Sequence, residues 1–325
     1  MSYDYTQLTK DIDALAENFP FIEKMNIGES VMEKPIPCLR IGTGKRVILL
    51  AGAFHGLEYL TAAFLIKFAS DYIVHIVTGA DFYGCSASEL YKDTTIYIVP
   101  MVNPDGVDIA VHGIDITNPY HRALISTTGI HSFNLVWQAN ARGVDLNHNY
   151  DAKWSMVIEE CAPTKYGGEY PESEPETRAV TNLIRNNEFD VLLAFHSQGR
   201  EIYYDFDGLA AENSRRLAER MAEESGYAVR TPVGTAAFGG CKDWFIKEYG
   251  RSGFTVEIGF GKNPLPMSQL EEVYEENAKL TLCAIKGYDK KFGNIYDFPE
   301  HFVINIRRDT HQVFCRFQPY PSFCR

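Results

Sequence analysis

The most strongly patterned stretch of the chain is a continuous apolar run over residues 47–51. Such a run between polar neighbours is typical of a strand that is buried on both faces of a parallel sheet. Gly52 ends the run, and apolar residues then recur at helical spacing. They are Leu57, Leu60, Ala63, Phe64 and Phe68. The pattern predicts a buried strand followed at once by a helix, with His55 and Glu58 at the junction.

The rest of the chain alternates between strand and helix patterns. An edge hairpin is predicted over residues 25–44, and further strands over residues 94–102, 190–195, 201–206 and 254–258. Helices are predicted over residues 8–19, 85–92, 209–225 and 267–286, with another ending near residue 187. The alternation indicates an α/β fold, with a mixed, mostly parallel central sheet flanked by helices.

Irregular structure is predicted for two segments, and the amino-acid composition changes at the end of the chain. Asn-Pro-Asp-Gly at residues 103–106 predicts a turn, and residues 112–142 predict a long irregular loop. No linker composition divides the chain before residue 287, whereas residues 288–325 are aromatic and basic without a clear period. We therefore predict one domain over residues 1–287 and a tail, residues 288–325, of unknown role.

The charge balance narrows the choice of partners. A formal net charge of −12 at pH 7 argues against nucleic acid and anionic membrane surfaces. The first residues lack the basic-then-apolar order of a secretory signal, and no apolar run is expected to reach membrane-spanning length. The 7 cysteines show no Cys-x-x-Cys spacing and are expected to be reduced thiols. We therefore expect a cytoplasmic protein, of open oligomeric state.

Polar residues lie where the predicted buried strands end. His55 follows one strand, His196 follows another, and Glu257 lies near the end of a third. The carboxyl ends of parallel strands share the edge at which open α/β sheets bind ligands. His55, Glu58 and His196 would supply two imidazoles and a carboxylate, a zinc donor set with an open position for water, and Glu257 would be a general base. The alternatives are a solvated helix start at His55 and Glu58, or buried structural polar residues.

Several motifs in one order carry a resemblance to a known family. HGLE, NPDG, GVDLNHN, AFHSQG and GFTVEIG follow the pattern of the zinc carboxypeptidases. WQANARGVDLN, KDWFIKEYGRSGFTVEIG and NPLPMSQLEEVYEE resemble the bacterial branch that cleaves γ-D-glutamyl–diaminopimelate bonds in peptidoglycan peptides. The similarity covers roughly residues 3–286. It implies a metallopeptidase with one zinc ion per chain, acting on small peptides derived from the cell wall.

The resemblance also implies roles for individual residues. His55, Glu58 and His196 match the zinc ligands of the family, and Glu257 matches its general base. Asn147 matches the asparagine that holds a substrate carboxylate.

The chain departs from the family pattern at several positions. His148 stands where many members have an arginine that binds the C-terminal carboxylate, and Gln138 where relatives commonly have an arginine or lysine that polarises the scissile carbonyl. Thr235 stands where the digestive enzymes have a mobile tyrosine, and Leu57 replaces a polar neighbour of the zinc ligands. Lys242 matches the base of the pocket that sets side-chain preference. Because neighbouring side chains on extended chain point apart, Lys242 is expected to meet a substrate carboxylate rather than the adjacent aspartate.

These departures leave three functions open. The first is hydrolysis of γ-D-glutamyl–diaminopimelate linkages. The second is a conventional metallocarboxypeptidase or an acyl-amino-acid deacylase, and the third is a weakly active family member that serves as a binding module. The histidines outside the predicted site are expected to be ordinary surface or loop residues. They are His75, His112, His121, His131, His301 and His311.

Overall fold

One mixed sheet orders the described part of the chain. The computed structural model describes residues 2–130, 132–154 and 161–287, except for the side chains of Thr235 and Ala236. The predicted tail, residues 288–325, lies outside the described residues, as do His131, His301 and His311. The described residues all belong to one compact unit.

The sheet has its parallel strands at the centre. The strands are β1 (Glu23–Glu29), β2 (Pro35–Gly42), β3 (Arg46–Gly52), β4 (Asp81–Phe82), β5 (Cys85–Ser86), β6 (Thr94–Val99), β7 (Val191–Ser197), β8 (Glu201–Tyr203), β9 (Ala228–Arg230) and β10 (Ser252–Ile258). Within the described ranges, eight strands form the sheet in the order β1-β2-β6-β3-β7-β10-β8-β9, while β4 and β5 pair separately. Strands β6, β3, β7 and β10 are parallel to one another. On one side, β2 pairs antiparallel with both β6 and β1, and on the other side β8 pairs antiparallel with β10. The prediction of a mixed, mostly parallel α/β sheet is confirmed.

Helices connect and cover the strands. They are α1 (Tyr5–Asn18), α2 (Tyr59–Thr78), α3 (Ala87–Asp93), α4 (Pro104–His112), α5 (Pro119–Thr128), α6 (Pro175–Arg185), α7 (Ser214–Ser225), α8 (Cys241–Tyr249) and α9 (Leu270–Lys286). Every residue of β6 and β7 is buried, as expected for central strands covered on both faces. The apolar runs read from the sequence therefore form the centre of the sheet.

Helix α2 corrects one expectation about apolar runs. An 18-residue window within the stretch Gly56–Thr78 has a mean hydropathy of 1.5, so the stretch is long and apolar enough to cross a membrane, by length and composition only. The expectation that no run reaches that length is therefore wrong. In the protein, 61% of this window is buried, and α2 packs against β3 and α9. Core helices share this composition, because burial in a protein selects the same side chains as burial in lipid.

Two Asn-Pro sequences begin helices that were expected to be irregular. The predicted turn at residues 103–106 opens α4, where Asn103 Oδ1 accepts a hydrogen bond from Gly106 N at 2.8 Å. Helix α5 lies in the predicted loop, and Asn118 Oδ1 accepts from Tyr120 N at 2.9 Å. Asparagine caps and an early proline suit a helix start as well as a turn, so local chemistry alone did not decide between them.

Two further elements differ from the sequence-based expectation. Helix α8 was not predicted, and it places Lys242 and Asp243 on a helix rather than on extended chain. His121, expected at the surface or in a loop, is buried on α5, where its Nδ1 accepts from Asp115 N at 2.8 Å.

The strand order creates a crevice at one edge of the sheet. The chain passes from β3 to β6 on one side, and from β7 to β10 on the other. Between β3 and β7 the connections therefore diverge, and ligands of open α/β sheets bind outside the carboxyl ends of the strands at such a point.

Candidate metal centre

Three adjacent strands bring the predicted chemical groups to this crevice. His55 follows β3, His196 lies on β7, and Glu257 lies on β10. The register pairs Gly52 with Phe195 and Glu257 with His196. Residues that are far apart in the sequence are therefore neighbours at one sheet edge, as the strand-end argument predicts.

The side chains of His55, Glu58 and His196 converge. His55 Nδ1 lies 2.9 Å from Glu58 Oε1, and His196 Nδ1 lies 3.0 Å from Glu58 Oε2. The two Nδ1 atoms are 3.3 Å apart. His55 and Glu58 both belong to the HGLE motif. A short helical turn, Gly56–Glu58, follows His55 and brings both side chains towards His196.

These distances fit a zinc ion. Bonds of about 2.0–2.1 Å in a tetrahedral centre place neighbouring ligand atoms about 3.3 Å apart. One ligand atom from each of the three residues lies within 4.8 Å of the others, and the residues are largely buried. Two imidazoles and one carboxylate form a common donor set of catalytic zinc, so the residues present fit this ion.

Asp145 orients His55 from the opposite side of the ring. Its Oδ1 lies 3.0 Å from His55 Nε2, and the carboxylate also accepts hydrogen bonds from the backbone N–H groups of Lys165, at 2.7 Å, and Asn147, at 3.1 Å. A proton held on Nε2 leaves the lone pair on Nδ1, the atom that faces Glu58. Asp145 lies inside the GVDLNHN motif, but sequence reasoning did not assign it a role.

The charges of the cluster favour a cation. Burial lowers the pKa of His55, but the carboxylates of Glu58 and Asp145 outweigh burial and hold that pKa well above its ordinary value. Burial raises the pKa of Glu58, but His55 and His196 outweigh it and lower that pKa to about 2. Ionised carboxylates on both sides of one imidazole make the position attractive to positive charge.

Two more residues that sequence reasoning missed support the ligands. Asn263 Nδ2 lies 3.4 Å from Glu58 Oε1 and donates to Ser197 O at 2.6 Å. The ring of Phe54 stacks on that of His196, with centroids 5.1 Å apart. No pattern in the sequence indicates either contact, because both depend on how distant segments fold together.

Glu257 is available for chemistry. It is partly exposed on β10, and its carboxylate makes no hydrogen bond or ion pair with any residue in the described ranges. Burial raises the pKa of Glu257 well above its ordinary value, and the nearby charge of Glu58 raises it further. A carboxylate with a raised pKa beside a metal site is suited to accept and return a proton.

Asn147 and His148 lie on the loop that carries Asp145. Asn147 Oδ1 accepts a hydrogen bond from Cys241 N at 3.1 Å, at the start of α8. His148 is buried, and its Nδ1 lies 3.2 Å from Asp145 Oδ2. The geometry places both residues next to the metal cluster, and their roles towards a substrate stay predictions.

Gln138 and Leu57 border the metal-binding turn. The backbone oxygen of Gln138 accepts from Gly56 N at 3.0 Å, and its side-chain oxygen accepts from Thr164 Oγ1 at 2.8 Å. Leu57 is buried in the turn itself. The position of Gln138 beside His55 agrees with the predicted role but does not test it, and the side chain of Thr235 lies outside the description.

Lys242 has a protein partner. Its ammonium pairs with the carboxylate of Asp243 and donates to the backbone oxygen of Asp205 at 2.6 Å, and only 3% of the residue is exposed. The expectation that Asp243 points away from Lys242 is wrong, because the two residues lie in the first turn of α8. Substrate binding by Lys242 stays a prediction, although its charge is already balanced within the protein.

Comparison with known proteins defines the class. The family model described as "Zinc carboxypeptidase" matches residues 8–280. The chain belongs to this family and is a zinc metallopeptidase. The family match confirms the expected zinc cofactor, and His55, Glu58 and His196 form a donor set that fits one metal ion.

Individual relatives refine this classification. The chain is 37% identical to gamma-D-glutamyl-L-diamino acid endopeptidase 1 of Lysinibacillus sphaericus over 289 residues, covering 87% of this chain and 72% of that protein. It is 34% identical to the protein YqgT of Bacillus subtilis (strain 168), covering 87% of this chain and 77% of that one. The structure of bovine thrombin-activatable fibrinolysis inhibitor in complex with tick carboxypeptidase inhibitor matches with a TM-score of 0.71 at 22% identity. That match covers 88% of this chain and 97% of the other, and it shows a shared fold.

We predict that His196→Ala abolishes most of the zinc binding. The purified protein should hold about one zinc ion per chain, and two remaining ligands make a poor site. Elemental analysis after refolding in zinc buffer measures this. The control is His112→Ala, which removes a histidine–carboxylate pair of similar length, 2.9 Å to Asp4, at the surface. Stoichiometric zinc in His196→Ala, or none in the wild type, would contradict the assignment.

We predict that Asp145→Asn lowers zinc affinity about 10- to 100-fold, because the ring of His55 loses the carboxylate that orients it. Competition against a chromogenic chelator measures the affinity. Asp190→Asn is the control, since Asp190 Oδ2 accepts from Val47 N at 2.8 Å, at the amino ends of β3 and β7. An equal loss of affinity in both variants would show a general effect on folding instead.

Proposed function

We propose that this enzyme hydrolyses the amide bond between a γ-D-glutamyl residue and a diamino acid such as diaminopimelate, in small peptides derived from peptidoglycan. The 37% identity to a relative named gamma-D-glutamyl-L-diamino acid endopeptidase supports this substrate class. The motif resemblance to the bacterial branch with that activity supports it as well. A cytoplasmic location is part of the proposal and stays a prediction.

The position of His148 is the observation that carries the proposal. Many members of the family have an arginine here that binds the free C-terminus of a conventional substrate. His148 is buried and directs Nδ1 towards Asp145 Oδ2, at 3.2 Å. An imidazole does not offer the bidentate fork of a guanidinium. The geometry therefore favours a substrate that is not selected by a C-terminal carboxylate at this position.

The catalytic roles follow from the arrangement of the site. His55, Glu58 and His196 would hold the zinc ion, which when bound polarises a carbonyl group and lowers the pKa of a bound water to about 7. Glu257 accepts the proton of the attacking water as the new carbon–oxygen bond forms. It then donates that proton to the leaving amine as the carbon–nitrogen bond breaks.

Gln138 is the proposed donor to the developing oxyanion. Thr164 occupies the oxygen end of its amide, at 2.8 Å, so the NH₂ end is the one that would face a substrate. An amide dipole stabilises an oxyanion less strongly than the cation of many relatives, so we expect slower turnover than in those relatives.

The test is incubation of the zinc-loaded enzyme with L-Ala-γ-D-Glu-diaminopimelate and mass spectrometry of the products. We expect L-Ala-D-Glu and free diaminopimelate. The control peptide contains the same residues joined through the α-carboxyl group and should stay intact. Equal kcat/KM for peptides ending in diaminopimelate and in an apolar residue would instead support a conventional carboxypeptidase.

We predict that Glu257→Gln lowers kcat about 10²- to 10⁴-fold, the usual contribution of a positioned proton acceptor. The amide is nearly isosteric, so zinc content and substrate binding should remain. Glu271→Gln is the control, because Glu271 is an exposed carboxylate in the first turn of α9. Near wild-type turnover in Glu257→Gln would assign the general base to another residue.

A further inference from the structure

One face of strands β8, β9 and β10 carries a polar surface beside Glu257. Glu257 pairs with Glu201 across the antiparallel ladder, and Thr255 pairs with Tyr203. Tyr203 in turn pairs with Arg230 on β9. Directly paired residues point to the same face of a sheet, so these five side chains share one face.

That face borders the crevice rather than the core. Glu201, Tyr203, Thr255 and Glu257 are each partly exposed and Arg230 is exposed, whereas the intervening Ile202 and Val256 are buried. The alternation shows that the polar side chains face solvent at the catalytic edge while their neighbours pack against the helices.

Glu201, Tyr203 and Arg230 form a connected group, the sheet-face cluster. Tyr203 Oη donates to Glu201 Oε2 at 2.5 Å, and Arg230 Nε donates to Glu201 Oε1 at 3.3 Å. Burial and the carboxylate of Glu201 raise the pKa of Tyr203, so its hydroxyl stays a donor. The cluster therefore presents one negative and one positive group within reach of Glu257.

Both charged groups retain binding capacity. The Nη groups of Arg230 make no hydrogen bond with any residue that the structure describes, and 59% of the side chain is exposed. A guanidinium with free Nη groups matches a carboxylate. Each oxygen of Glu201 accepts one described hydrogen bond, and an ionised carboxylate has about four acceptor positions. A ligand ammonium can therefore bind Glu201 without displacing its present partners.

We propose that Glu201 and Arg230 form the subsite for the zwitterionic end of a diamino acid. Arg230 binds the terminal carboxylate, and Glu201 binds the ammonium on the same carbon. This inference rests on the proposed function, in which the diamino acid is the leaving group next to Glu257. Strands β10 and β9 lie about 10 Å apart across β8, a span that the side chains of the ligand and of Arg230 cover together.

The proposal assigns selectivity to Arg230 rather than to the more deeply buried cation, Lys242. Helix α8 covers the same face further along β10, where a Cβ on Gly253 would lie 3.3 Å from Lys242 Cγ. The charge of Lys242 is balanced by Asp243. The exposed cation of this face in the described sheet is Arg230, and its partner Glu201 gives the pair no net charge. A zwitterion matches such a pair better than lysine or glutamate does, since each of these leaves one charge unpaired.

Calorimetric titration in the zinc-loaded Glu257→Gln background tests binding without turnover. The probes are γ-D-Glu-diaminopimelate and γ-D-Glu-L-lysine, which differ by the terminal carboxylate. We expect the diaminopimelate peptide to bind at least about tenfold more tightly, the effect of one charge-assisted hydrogen-bonded pair. Adding Arg230→Gln should remove most of that preference, and adding Glu201→Gln should weaken both peptides. An equal affinity for the two peptides before Arg230 is changed, or an undiminished preference afterwards, would overturn the subsite.

Arg215→Gln in the same background is the matched control. Arg215 Nε lies 3.0 Å from Glu219 Oε1 on α7, and its side chain is 73% exposed. The neighbouring Ser214 contacts Ser252, at the end of β10 opposite to Glu257. This variant therefore loses a similar surface ion pair away from the crevice, and the peptide preference should persist.

Turnover by the wild-type enzyme separates the two proposals. Cleavage of both peptides at equal kcat/KM would support the proposed reaction and overturn the subsite. Tenfold preferential binding without cleavage of either peptide would support the subsite and overturn the proposed reaction.

Discussion

The carboxylate of Glu58, held between two imidazole nitrogens, is the interaction on which the site depends. Glu58 is only 3% exposed, and a carboxylate buried to that extent is costly unless it is paired. Its partners must therefore stand within about 3 Å on both sides, which requires β3 and β7 to be neighbours in parallel register. The supporting contacts follow from the same need. Asp145 fixes one ring through its far nitrogen, and Phe54 stacks on the other.

The sheet supplies this arrangement because its interior excludes charge. Strands β6 and β7 are buried along their whole length, so ionisable groups are placed where strands end or where a face opens. Divergent connections leave a crevice between β3 and β7, and the ligands flank it. Glu257 lies one strand further along, partly exposed and without a described partner. The same geometry thus pairs the metal ligands with one another and leaves the general base unpaired.

Sequence reasoning identified the elements and residues that are specified by local pattern. The apolar runs indicated the central strands, and His55, His196 and Glu257 were placed correctly because strand ends meet at one edge. The errors arose where the outcome depends on distant partners. Asn103 begins a helix instead of a turn, and Asp145 and Asn263 reach the metal ligands through folds of the chain that no local spacing encodes. Asp243 was expected to point away from Lys242 because helix α8 was not predicted.

The two cation–carboxylate pairs on the substrate side differ in how readily they can respond to a ligand. The pair of Lys242 and Asp243 is buried, with side chains 3% and 4% exposed, and removing one partner of such a pair costs about 3–5 kcal/mol. The side chains of Arg230 and Glu201 are 59% and 29% exposed. Ion pairs at the surface contribute about 0–1 kcal/mol to stability. A ligand can therefore reorganise the second pair at little cost, whereas it would have to break the first. The proposed subsite therefore assigns charge recognition to the exposed pair, whereas Lys242 stays bound to Asp243 and to the backbone oxygen of Asp205.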